Sequence, residues 1–196
     1  MKILNINSYY YSSTVHKQLD NALSKLKLNF MTYAPVARGY TPREECKYDQ
    51  EDLVKKVECY NEIDRYIFHI KHGKILKNIV EEINIDEYDY LHAHSLFSNG
   101  YIAMKIKEKW GKPYLVTVRN TDVNTFFRRM IHLRGLGNKI LKEAAGVIFL
   151  SHSYKRSVID KYVNKELKDS ILDKSYVIPN GIDEFWLENK YTPKII

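Results

Sequence analysis

Along most of the chain, short apolar runs alternate with helix-patterned segments, and no hairpin turn joins one run to the next. KILNIN (2–7), NFMTYA (29–34), YDYLHAH (88–94), PYLVTV (113–118), GVIFL (146–150) and SYVI (175–178) have the length and composition of strands. Between the first two, Val15, Leu19, Ala22, Leu23 and Leu26 recur at the spacing of one helix face. Ile75, Leu76, Ile79, Val80 and Ile83 do the same, as do Tyr154, Val158, Ile159, Tyr162 and Val163. Gly111 stands where a left-handed helix cap belongs, with Pro113 just beyond it. Strands separated by helices pair through crossovers, and crossovers build parallel sheets. The alternation therefore predicts an α/β fold with a doubly wound, mainly parallel sheet and helices on both faces. Residues 35–72 break the rhythm; a loop, a short strand near 54–59 and then a helix are expected there.

At 196 residues the chain has the size of one domain with a full core. Hydrophobic residues at 44% and charged residues at 28% exclude a disordered tail. No apolar run approaches the length of a membrane span, and MKILNINSYYYSS lacks the apolar centre and cleavage site of a signal peptide. Cys46 and Cys59 match no metal or redox spacing and read as ordinary thiols of a cytoplasmic protein. Lysine and arginine number 31 against 24 acids, a net charge of +7. That excess points to an anionic partner: nucleic acid, an anionic membrane surface or a phosphorylated substrate.

In a doubly wound sheet, ligands bind beyond the carboxyl ends of the strands. The segments that follow the strands here, NSYYYSST, HSLFSNG, RNTDVN, SHS and PNGID, are all polar. Their hydroxyls and amides suit helix caps, and helix N-termini favour anions. His92 and His94 alternate along one strand and so project to the same side. They are either a hydrogen-bonded core pair or donors to a phosphate or sugar hydroxyl; a third metal ligand is missing nearby. Arg119 follows a buried strand, so its guanidinium needs Asp122 or an anionic ligand as partner. Asp122 has a plain helix-capping role as its alternative. Ser13 or Thr14 caps the first helix, with His16 in its first turn. In residues 128–142, five Lys or Arg interleave with six apolar residues and no acid, the pattern of a solvated helix face or of a helix lying on anionic lipid.

The second half carries a resemblance. VIFLSHSYKRSVI followed by YVIPNGIDEFW resembles the end of the N-terminal domain in family-4 glycosyltransferases of the GT-B fold. YDYLHAHSLFSNG is similar to that family's D-x-x-H-x-H strand, KPYLVTVRNTDVN to its P-x-V-x-T-x-H strand, and HKQLDNALSKL to its first helix. The resemblance covers essentially the whole chain. It implies a Rossmann-like domain, one half of a GT-B enzyme, that binds the acceptor, while a C-terminal nucleotide-sugar domain lies outside this chain. It implies Arg119, Asp122 and His94 as catalytic residues. Substrate binding falls to Ser12, Ser13, Thr14, His16, His92, Ser95, Asn99, Asn120, Ser151 and Lys155. Two departures stand out. The family's Gly-Gly pair in the first loop is replaced by NSYYYSS, and its histidine after the T-x step is Arg119.

These implications add up to a hexosyltransferase with a nucleotide-sugar as co-substrate, neither cofactor nor metal, and a polysaccharide or lipid-linked acceptor of the cell envelope or capsule. Its expected place is the cytoplasm, with residues 128–142 as a peripheral contact on the inner membrane face. As an isolated half it is expected to be inactive. Two other readings fit the charge: a basic nucleic-acid-binding module, for which no recognised motif appears, and a stand-alone nucleotide-binding domain, which lacks the G-x-G-x-x-G fingerprint.

Overall fold

The computed structural model describes residues 1–46, 53–181 and 188–189. Seven parallel strands form one sheet in the order β3-β2-β1-β4-β5-β6-β7. They are β1 (Lys2–Ile6), β2 (Asn29–Ala37), β3 (Val54–Tyr60), β4 (Tyr90–Ala93), β5 (Tyr114–Val118), β6 (Gly146–Phe149) and β7 (Ser175–Val177). The helices between them are α1 (Thr14–Lys25), α2 (Phe68–Glu82), α3 (Ser98–Trp110), α4 (Arg134–Glu143), α5 (His152–Lys161) and α6 (Lys168–Asp173). All six strands read from the sequence are present, and β3 occupies the place left for a short strand. β2 continues three residues past the predicted end at Ala34. Pro35 lacks an N–H yet lies opposite Val57 of β3, and burial of Val36 and Ala37 holds the extension in the sheet. Gly111 adopts the left-handed conformation that closes α3, with φ of 68°.

The two sheet faces differ in chemistry. Thr32 donates to Asp20 of α1, while Tyr33, next along β2, donates to Asn78 of α2. Successive strand residues face opposite ways, so α1 and α2 lie on opposite faces of the sheet. The α2 face carries the main core, in which Leu4, Ile6, Leu91, Ala93, Val116, Val118, Val147 and Phe149 are buried. Helices α3 and α4 pack closely there: a Cβ on Gly100 of α3 would come within 2.8 Å of Ile140 of α4. The α1 face is polar at its centre, with Asn5, Thr32 and Thr117 buried.

Two expectations about helix faces change. Helix α1 forms as predicted, but the residues it buries are His16 and Asp20, not the apolar set Val15, Leu19, Ala22, Leu23 and Leu26. The reason is the polar sheet face beneath it: Asp20 accepts from Thr32 at 2.8 Å, and Thr32 accepts from Asn5 at 3.2 Å. The stretch 128–142 is likewise not one amphipathic helix. A 3-10 turn (Ile131–Leu133) precedes α4, and Leu133, Ile140 and Leu141 are buried in the core. Of the six apolar residues only Ile131 is largely exposed.

Candidate functional site

Strand order reverses between β1 and β4, and the loops leaving these two strands diverge at the carboxyl edge. There the chain ties itself together. Asn99, in the first turn of α3, accepts from both the backbone N–H (3.1 Å) and the hydroxyl (2.6 Å) of Ser8. The Tyr9 hydroxyl meets Ser98 at 3.2 Å. Beside this junction, a cavity of about 670 Å³ opens between α1 and the polar face of β4, β5 and β6. Three of the residues picked from the sequence line it: His92, His94 and Arg119.

Three imidazoles run inward from α1 to β4. The His16 ring lies 5.9 Å from that of His94, which lies 4.1 Å from that of His92. Burial pushes all three toward the neutral form, His16 down to about 3 and His92 down to about 4, and the Arg119 charge acts in the same direction. His92 bonds Thr117 through Nε2 at 2.9 Å. Among the described residues, neither ring nitrogen of the buried His94 has a hydrogen-bond partner, nor does Nδ1 of His16. A neutral imidazole offers one donor and one acceptor, a match for sugar hydroxyls.

Arg119 leaves the end of β5 and donates from Nε to the His94 carbonyl at 2.6 Å. No carboxylate among the described residues pairs with its guanidinium. Asp122 does not fill that role. Its two oxygens accept from the backbone N–H groups of Leu96 (2.9 Å), Phe97 (3.0 Å) and Arg119 itself (2.9 Å). Asp122 is thus a buried anchor that closes the start of α3 and joins it to the turn after β5. Burial pushes its carboxyl up to about 6, against the opposing pull of these three N–H groups.

Most other predicted residues serve the scaffold. Ser13 caps α1 by accepting from Val15, and Ser151 caps α5 by accepting from Tyr154. Thr14 opens α1 directly after that cap. Ser12 donates to the Tyr9 carbonyl, Ser95 accepts from the Asn99 N–H, and Asn120 accepts from the Tyr154 hydroxyl. Lys155 gives its ammonium to the Ser175 carbonyl and does not line the cavity. Thr117, Gln18 and Asn180 do line it, although none was singled out from the sequence. Thr117 was within reach, since it lies two residues before Arg119 on one strand face. The last part of the PNGID segment, from residue 182, lies outside the described residues. Among the described residues, no group of three His, Cys, Asp or Glu side chains could hold a metal ion, and no helix is long and apolar enough to cross a membrane.

Beside apolar side chains of α1 and β6, the cavity is lined by neutral imidazoles and by the cations Arg119 and Lys25, and by no carboxylate among the described residues; its polar part suits a hydroxyl-rich molecule bearing negative charge. The chain is 25% identical over 194 residues to an uncharacterized glycosyltransferase of Methanocaldococcus jannaschii, covering 97% of this chain and 49% of the relative. Its fold matches sucrose-phosphate synthase from Thermosynechococcus elongatus, with a TM-score of 0.69 at 13% identity over 91% of this chain and 48% of that one. It also matches Arabidopsis thaliana UGT89C1 complexed with UDP, with a TM-score of 0.53 at 10% identity over 93% and 49%. The chain therefore spans about half the length of each. Residues 15–184 match the sequence pattern of Glycosyltransferase Family 4, and the chain belongs to that family.

Proposed function

We propose that this chain is the acceptor-binding half of a metal-independent GT-B glycosyltransferase. The enzyme would move a sugar from a nucleotide-sugar to a polysaccharide or lipid-linked acceptor in cell-envelope or capsule synthesis. The observation that carries the reading is the Arg119 guanidinium, with no carboxylate partner among the described residues, beside neutral His92 and His94 in one cavity at the carboxyl edge. Neutral imidazoles orient hydroxyls. The cation meets charge on a phosphate or an acidic sugar, and a guanidinium does not act as a base at neutral pH. The nucleotide-sugar belongs mainly to a second domain outside this chain. Support comes from the half-length coverage of the relatives and from the UDP bound in the Arabidopsis neighbour.

Transfer requires the donor's anomeric carbon to be held against the acceptor, with the leaving diphosphate's charge met by fixed cations. On this reading the 196-residue chain folds alone but transfers no sugar. Calorimetry with a panel of nucleotide-sugars is expected to give no binding in the micromolar range, whereas the chain joined to a second domain turns over. Tight binding or turnover by the isolated chain would show that the site is complete and sink the two-domain reading.

A further inference from the structure

The guanidinium of Arg119 is fixed at one end and open at the other. Its Nε donates to the His94 carbonyl at 2.6 Å, and among the described residues its side chain makes no other hydrogen bond or ion pair. A guanidinium holds five N–H donors in one plane, so four remain here, two on each Nη. The bond to a main-chain carbonyl just past β4 orients that plane, and the Nη edge is left unengaged beside the cavity that Arg119 lines. Two parallel N–H groups on such an edge match two oxygens of one anion. Arg119 is half-buried, so the charge has lost part of its water without gaining a carboxylate in exchange.

The surroundings select the kind of anion. Asp122 lies near enough for its charge to act on Arg119, although both its oxygens go to backbone N–H groups. His16, His92 and His94 are held neutral by burial and add no positive charge. Lys25, the other cation on the cavity wall, is exposed on the last turn of α1, where water screens it. Much of the remaining wall is apolar, from Leu19, Leu23, Ile148, Leu150 and Ile178. The cost of taking an ion out of water rises with the square of its charge. A dianionic phosphate monoester therefore meets about four times the penalty of a monoanion, against the same guanidinium. A carboxylate carries one charge and two coplanar oxygens, and it matches the fork in both respects.

We propose that Arg119 selects an acceptor whose sugar in the cavity carries a carboxylate: a uronic acid ring, held by a two-pronged contact from the two Nη atoms. The inference rests on the reading of this chain as an acceptor-binding half and names the class of acceptor within it. The fork takes one N–H from each Nη, so two N–H groups remain for charge that develops during transfer. The ring's hydroxyls then face the neutral side of the cavity, where Thr117 and the imidazoles of His92 and His94 lie.

The test is saturation-transfer NMR on this chain with pairs of methyl glycosides: glucuronic, galacturonic and mannuronic acids against glucose, galactose and mannose. In at least one pair the acid is expected to bind about tenfold or more tightly than the neutral sugar, the scale of charge-assisted hydrogen bonds. Arg119→Met, which removes the charge and the fork, should abolish that advantage. Arg119→Lys keeps a point charge without the fork and should retain only part of it. Each variant loses one bond to a carbonyl, so circular dichroism should remain that of the parent. A neutral sugar that binds as tightly as its acid in every pair, or an acid preference that survives Arg119→Met, overturns the proposal and leaves the acceptor reading standing. Tighter binding of glucose-6-phosphate than of any uronate assigns the fork to a phosphate and overturns it as well. Saturation transfer to none of these sugars would sink the acceptor reading itself, and the proposal with it.

Discussion

Arg119 and Asp122 sit three residues apart, are both charged, and do opposite things. The residue types in TVRNTDVN are enough to locate a polar cluster at the end of a core strand. They do not separate the two roles, because two of the three donors to Asp122 come from Leu96 and Phe97, some 25 residues earlier in the chain. Only the folded sheet brings that backbone to the carboxylate. Asp122→Ala is expected to leave three buried N–H groups without a partner and to lower stability by about 2–4 kcal/mol. Urea denaturation measures this directly, and a loss below about 1 kcal/mol would remove the anchor role. Arg119→Ala loses one side-chain bond to a carbonyl, a cost of about 1 kcal/mol. Its larger expected effect is on turnover of the full-length enzyme, by about a hundredfold, the scale of one electrostatic group facing developing charge. Turnover that falls only in proportion to the folded fraction would make Arg119 a structural residue. His94 shows the same limit on reading from sequence. Its alternation with His92 was visible, but the lack of a hydrogen-bond partner for its ring among the described residues is a property of the packed site.

Helix α1 was legible as a helix and misread as a face. Its apolar period is real, yet the strand side chains beneath it are Asn5 and Thr32, so the helix turns His16 and Asp20 toward the sheet. Periodicity identifies the apolar side of a helix. It does not tell which side the neighbouring strands can accept. Val15, Leu19, Ala22 and Leu23 are left along the cavity wall, where a ligand or another part of a longer protein can meet them. Burial of Asp20 pushes its carboxyl up to about 6, although Thr32 donates a hydrogen bond to it. A carboxyl whose folded pKa lies above its unfolded value destabilises the fold once both states are ionised. Asp20→Asn keeps an acceptor for Thr32 and is expected to add about 1–2 kcal/mol at pH 7, a gain that disappears near pH 4. Paired urea curves at the two pH values test it; an equal gain at both would mean that charge is not the cause. On the opposite face of the sheet the constraint is steric. A methyl group on Gly137 meets the Phe97 and Phe127 rings, so Gly137→Ala is expected to cost about 1–3 kcal/mol by overpacking, despite alanine's better helix propensity.

At the scale of the molecule, the parallel sheet was readable because each crossover leaves its own mark: an apolar strand, a polar turn, a periodic helix. Only β3 was faint, an edge strand in which Lys56 and Glu58 alternate outward. What no pattern shows is how many ionisable groups the finished fold holds away from their charged forms. His16 and His72 are pushed down to about 3, His92 to about 4, and His94 well below its ordinary value, each chiefly by burial. In the unfolded chain all four take up protons near pH 6.5. Asp20 and Asp122 act in the other direction: in the folded state they bind protons near pH 6, and in the unfolded chain only near 3.8. Around pH 5 the unfolded chain thus holds up to four protons on these histidines, and the folded protein up to two on these aspartates. The unfolded state binds roughly two more, and stability changes by about 1.4 kcal/mol per pH unit for each. Stability is therefore expected to fall as pH drops from 6.5 to 4.5, by up to about 3 kcal/mol per unit at the steepest point. Asp20→Asn removes one opposing proton and should steepen the decline. The measurement is the urea midpoint across that range at a constant denaturant slope. A midpoint unchanged between pH 7 and 5 would mean that the histidines are already charged in the folded protein, and a charged His94 beside Arg119 would overturn the neutral-imidazole site.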